Sequence, residues 1–224
     1  MEIIDRMLLI THSSVGFFSL ILFWIPIFVR KGGNTHVKVG KAYQYSMWIV
    51  LITAVFLSLI NLYQGRYIQA GFLSFLALIT GYPLWYSIAA LKFKKGPDPK
   101  MVRIRIAISY LLLITSIGMI IWFVKINFDF PLIGIFGMLG LMSSGNYLLN
   151  KRRRQRSWIA EHIEGILITG IAAHTAFFAF GGFRLFGHLI NSQIWIIVIW
   201  MTPSLLGFSM IEWTKWQWRG RVSG

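Results

Sequence analysis

Apolar residues fall in seven long runs, separated by short polar stretches. The runs cover approximately residues 7–29, 43–63, 68–91, 104–124, 131–149, 159–180 and 194–211. A helix rises about 1.5 Å per residue, so about 20 apolar residues cross a hydrocarbon core of about 30 Å. Each run therefore predicts one transmembrane helix. Gly32-Gly33 break the chain after the first run, and Asn34 or Thr35 is placed to cap the second. The second helix can begin as early as His36. Pro26 and then Arg30-Lys31 close the first run, which is too long for a signal-peptide core and is followed by no small-residue cleavage site. Gly81-Tyr82-Pro83 is expected to kink the third run, and Pro203 lies inside the seventh. The predicted fold class is an all-α integral membrane protein. It forms a single bundle of seven transmembrane helices, one domain over residues 1–224.

Composition sharpens this reading. The chain is 56% hydrophobic and 13% charged, whereas a soluble domain carries about 25% charged residues. Cysteine is absent, which excludes disulfides, thiolate metal sites, a cysteine nucleophile and covalently attached c-type haem. The net charge of +15 could suggest nucleic acid, but the cations sit in short loops between apolar runs. The loops after runs one, three and five, with the C-terminal tail and Arg105 at the start of the fourth run, hold 18 of the 22 Lys and Arg. The positive-inside rule then puts the N-terminus outside and the C-terminus in the cytoplasm. The lipid bilayer is the implied partner, and nucleic acid is not. The tail WTKWQWRGRVSG alternates tryptophan with cations, as suits the headgroup layer.

The candidate chemistry lies in the histidines. The stretch from 151 reads KRRRQRSW and then IAEHIEGILITGIAAHTAFFAFGG, an apolar helix carrying His162 and His174. Ionisable groups at membrane depth are costly and mark functional sites by default. His12 is 19 residues from Lys31, and His174 is 17 from Ser157. At the helical rise these are about 28 Å and about 25 Å, so both lie near the outer surface. His36 and His162 lie near the inner one, and His188 falls in the outer loop after the sixth run. An outer pair, His12 and His174, and an inner pair, His36 and His162, suggest axial ligation of b-type haem, one or two. Gly16, Gly40, Gly165 and Gly170 would make room for haem edges. One difficulty is angular: the spacing from His162 to His174 rotates them about 120° apart, and a π-helical insertion would be needed to align them. A second candidate is an inner-face zinc site of His36, Glu161, His162 and Glu164. Simpler readings compete: histidines that hydrogen-bond across helices, and acids that favour the first helical turn or pair with the arginine block.

The first loop carries a resemblance. His12, then Arg30-Lys31-Gly32 and His36-Val37-Lys38-Val39-Gly40-Lys41-Ala42-Tyr43, resemble a family of bacterial predicted integral membrane proteins catalogued as a domain of unknown function. The resemblance implies a bacterial cytoplasmic (inner) membrane protein and supplies no activity. From the residues, the leading expectation is a haem-binding protein in transmembrane electron transfer, with a redox partner or other membrane-complex subunits. The alternatives are a non-enzymatic small transporter or accessory subunit, and a zinc-dependent membrane hydrolase.

Overall fold

The structure is a computed structural model that describes residues 2–92, 94, 99–125, 131–149, 158–182 and 193–218. Among them are seven α-helices and no strand. They are α1 (Glu2–Phe28), α2 (Asn34–Tyr63), α3 (Tyr67–Lys92), α4 (Pro99–Lys125), α5 (Pro131–Leu149), α6 (Trp158–Ala176) and α7 (Gln193–Gln217). A π-helical turn, Phe177–Gly182, continues α6. Each helix stands on one of the seven apolar runs. By length and composition, five of them are able to cross a membrane: Ile3–Phe28, Asn34–Tyr63, Tyr67–Lys92, Pro99–Lys125 and Trp158–Gly181. The apolar part of α5 is shorter, Ile133–Gly145.

Two boundaries differ from expectation. The second helix starts at Asn34, so the basic segment VKVGK is helical and His36 lies in the first turn. Its N-cap is Gly33, in extended conformation with no side-chain cap, rather than Asn34 or Thr35. The last helix likewise runs on through the Trp-Lys-Trp tail to Gln217.

The distribution of polarity is compatible with a bilayer. Large apolar side chains point outward along α1, α2, α4 and α7, among them Ile10, Phe18, Ile52, Phe56, Ile114, Ile121 and Leu206. Buried positions hold small hydroxyls, including Ser19, Ser58, Ser87, Ser109, Ser116, Ser144 and Thr169. Most give their proton to their own helix, as Ser144 does to Gly140 O (2.7 Å) and Thr169 to Gly165 O (2.8 Å). That satisfies the hydroxyl without water and lets neighbouring helices approach.

The chain divides into two compact units, Met1–Gly81 and Tyr82–Gly224. The boundary falls within α3 at Gly81-Tyr82-Pro83, the sequence expected to kink it. In the first unit α1 packs along α2. The stripe Tyr43, Met47, Leu51, Ala54 and Leu57 is buried, with Phe23 of α1 at 5.7 Å from the Tyr43 ring. The turn from α2 to α3 needs glycine: Gly65 has φ +72° and closes a Schellman motif, with Arg66 N bonded to Asn61 O and Gly65 N to Leu62 O. Ser58 then ties α2 to α3 through Ala70 O (2.8 Å) and Ser74 Oγ (2.7 Å).

In the second unit α4 packs on α5, and α6 packs on α7. Ile171 of α6 seats on Gly207 of α7. Gly165 of α6 seats on α3, where an added Cβ would lie 2.6 Å from Ser87 Cβ and 2.7 Å from Pro83 O.

Candidate functional sites: fixed histidines and a buried charge cluster

In the first unit, His12 Nδ1 lies 3.2 Å from Val50 O and 3.0 Å from Thr53 Oγ1, both on α2. A carbonyl only accepts, so Nδ1 carries the proton. Thr53 gives its own proton to Ile49 O (2.8 Å) or Val50 O (2.9 Å), which leaves its oxygen to accept from His12. The other histidine of this unit, His36, donates from Nδ1 to Pro26 O at 3.1 Å. Pro26 O is one of the last carbonyls of α1, which lack partners within the helix. Lys31 Nζ donates to the same carbonyl at 2.8 Å. Lys31 and His36 together therefore cap the C-terminus of α1. Partial burial draws the Lys31 ammonium below the ordinary lysine pKa.

In the second unit, His162 donates from Nδ1 to Ser87 O of α3 at 3.1 Å. His174 donates from Nδ1 to Gly170 O, one turn back on its own helix, at 2.7 Å. All four candidate histidines thus direct Nδ1–H at a backbone carbonyl. With Nδ1 as the donor, Nε2 is the nitrogen that would carry the lone pair of a neutral ring. This is the arrangement in which a protein fixes the tautomer and orientation of a metal-ligating imidazole. Neutral imidazole is a donor type that haem iron takes.

The π-helical turn begins after His174, so it does not lie between the two histidines of α6. They keep their separation of about 120° and leave the helix in different directions. The expectation that Gly165 makes room for a haem edge is overturned, because its space is taken by Ser87, Pro83 and Tyr86. An added Cβ at Gly40 would meet nothing within 4 Å, and at Gly16 only Val50 at 3.8 Å. In each expected haem pair, one histidine belongs to the first unit and the other to the second.

The second unit also gathers charge inside its helices. Arg105 Nη1 pairs with Glu161 Oε1 at 2.6 Å, and both side chains are largely buried. The Arg105 guanidinium lies over the Tyr86 ring, 4.3 Å from its centre. Tyr82 packs edge-on against Tyr86 at 5.1 Å and shares a 2.7 Å hydrogen bond with Ser109. On the next turn of α6, Glu164 Oε2 meets Lys215 Nζ of α7 at 3.4 Å. Lys215 also reaches Glu212 at 3.1 Å. Glu161 and Glu164 therefore hold α6 to α4 and to α7 respectively. Among the described residues, no three or more His, Asp or Glu converge as metal ligands.

Sequence reasoning treated Arg105 only as a topology determinant. The available signal was a cation just inside the fourth apolar run, with Tyr82 and Tyr86 spaced one turn apart. His188 and the cations at residues 151–156 lie outside the described residues.

No protein-family model matches the chain, and no curated protein and no solved structure matches it either.

Proposed function

We propose that this chain is a seven-span protein of the bacterial cytoplasmic membrane that binds b-type haem and takes part in transmembrane electron transfer. The N-terminus faces outward and the C-terminus the cytoplasm, as the cation asymmetry of the loops favours. The family resemblance carried by His12 and the His36–Tyr43 motif belongs to the same proposal. One observation carries the haem reading: His12, His36, His162 and His174 each give Nδ1–H to a backbone carbonyl. Haem would supply reversible one-electron chemistry. The chain's own part is to hold neutral imidazoles by their Nδ1 protons, with Nε2 as the ligating atom.

The test is an absorption spectrum of detergent-purified protein, expressed with haem supply, before and after dithionite. A Soret band with a sharp α band on reduction is expected, and a pyridine haemochrome assay counts the haems. Protein that stays colourless after haem reconstitution removes the redox reading.

A second reading, a small transporter or accessory subunit, is favoured by the buried Arg105–Glu161 and Lys215–Glu164 pairs. Ionisable groups inside spans often line solute or proton paths. Colourless protein that moves a solute in liposomes, and stops doing so in Glu161→Gln, is its expected outcome.

A further inference from the structure

Two buried hydroxyls of the second unit, Thr175 Oγ1 and Ser204 Oγ, have no hydrogen-bond partner among the described residues. Helical spacing from Ile171 and Gly207 puts both on the stripes by which α6 and α7 pack. Two contacts set the register of these helices: Glu164 meets Lys215, and Ile171 seats on Gly207. Numbers rise on one helix as they fall on the other, so the pair is antiparallel. Thr175 is one turn beyond Ile171 on the same stripe. Ser204 is one turn before Gly207 on the facing stripe. The register therefore sets Thr175 level with Ser204. Thr175 is 0% exposed and Ser204 3%.

Neighbouring hydroxyls behave differently. Thr169 gives its proton to Gly165 O at 2.8 Å, Thr202 to Val198 O at 2.7 Å and Ser209 to Leu205 O at 3.0 Å. The backbone beside Thr175 and Ser204 is irregular. The π-helical turn starts at Phe177, and Pro203 has no N–H to give to Ile199 O. Each hydroxyl can donate and accept, yet neither bonds the other, so they stand farther apart than a direct hydrogen bond. Buried polar groups in folded proteins are nearly always paired, and ordered water is the common partner where protein supplies none. The charged pair Glu164–Lys215 sits about three turns away along α6, which leaves a neutral site.

We infer that Thr175 and Ser204 form a closed site for one neutral hydrogen-bonding oxygen, a buried water that bridges α6 to α7 at the level of His174. The water donates to one hydroxyl and accepts from the other, and it joins the two helices where π-helix and proline interrupt their ladders. Because it is shared, loss of either hydroxyl releases it.

Thermal unfolding of the full chain in detergent tests this with Thr175→Val, Ser204→Ala and the double variant. Each single change is expected to lower the midpoint by about 2–4 °C, and the double change no further than the larger single one. Unchanged or raised midpoints, or single losses that simply add, overturn the shared water. A map of the unaltered protein at a resolution that shows waters is the second arm. A compact peak within hydrogen-bond distance of both oxygens is expected. An empty gap overturns the site, and elongated density would make the occupant a lipid or detergent group rather than water.

Discussion

His12 Nδ1 stands 3.0 Å from Thr53 Oγ1, and the hydroxyl has already given its proton to its own helix. The histidine must therefore be the donor, and its tautomer is set twice, by Thr53 and by Val50 O. On the haem reading, His12→Ala lowers the haem-to-protein ratio by half or more. Thr53→Val keeps the shape and leaves Val50 O to hold the ring. It is expected to weaken haem retention by no more than about 10–100-fold, the usual cost of losing such an orienting partner. Pyridine haemochrome assays on both variants separate the cases. Full haem content in His12→Ala removes His12 from the site.

Arg105 and Glu161 form an ion pair in which neither partner is well solvated. Removing one alone leaves the other charged in an apolar bundle. Arg105→Met is expected to cost about 3 kcal/mol, and Arg105→Met with Glu161→Gln less than the sum of the two. Arg105→Lys keeps the charge but loses the planar stack over Tyr86, at about 1 kcal/mol. Reversible unfolding in mixed micelles gives all four corners of the cycle. Strictly additive losses would show that the pair contributes no coupling.

Much of this architecture was legible because apolar runs near 20 residues announce themselves. Seven runs predicted seven helices. The ends were harder. The VKVGK segment and the WTKWQ tail are polar yet helical, since a helix can project past a bilayer without changing its backbone bonding. The Arg105–Glu161 pair joins residues far apart in sequence, and no local period signals it. The histidine tautomers were illegible for another reason. Their partners are main-chain carbonyls of Val50, Pro26, Ser87 and Gly170, and a carbonyl has no sequence signature. The π-helical turn after His174 is likewise a backbone event that Phe177 and its neighbours do not advertise.

Gly165 and Gly40 make opposite predictions. At Gly165 a methyl group would lie 2.7 Å from Pro83 O, a backbone atom that cannot swing aside. Gly165→Ala is expected to destabilise the protein by about 3 kcal/mol through overpacking. At Gly40 a methyl group meets nothing within 4 Å, in the interior of α2. Gly40→Ala should raise stability by about 0.5–1 kcal/mol from backbone entropy. The same variant probes the haem edge expected there. Stabilised protein with reduced haem content places the cofactor at Gly40, and unchanged haem places it elsewhere.

Lys215 touches two carboxylates whose surroundings differ. Glu212 is 77% exposed at the side chain, and Glu164 is 8% exposed. Water screens the first pair, so Glu212→Ala should change stability by less than about 0.5 kcal/mol. The second pair adds to what compensates a buried carboxylate. Lys215→Met removes that contribution and is expected to cost about 1–2 kcal/mol. Combining Lys215→Met with Glu164→Gln should recover part of the loss, because the carboxylate charge that Lys215 faced is then gone. Unfolding of the three variants decides it. An equal cost for Glu212→Ala and Lys215→Met would mean that Lys215 acts through Glu212, and that Glu164 is satisfied by other means.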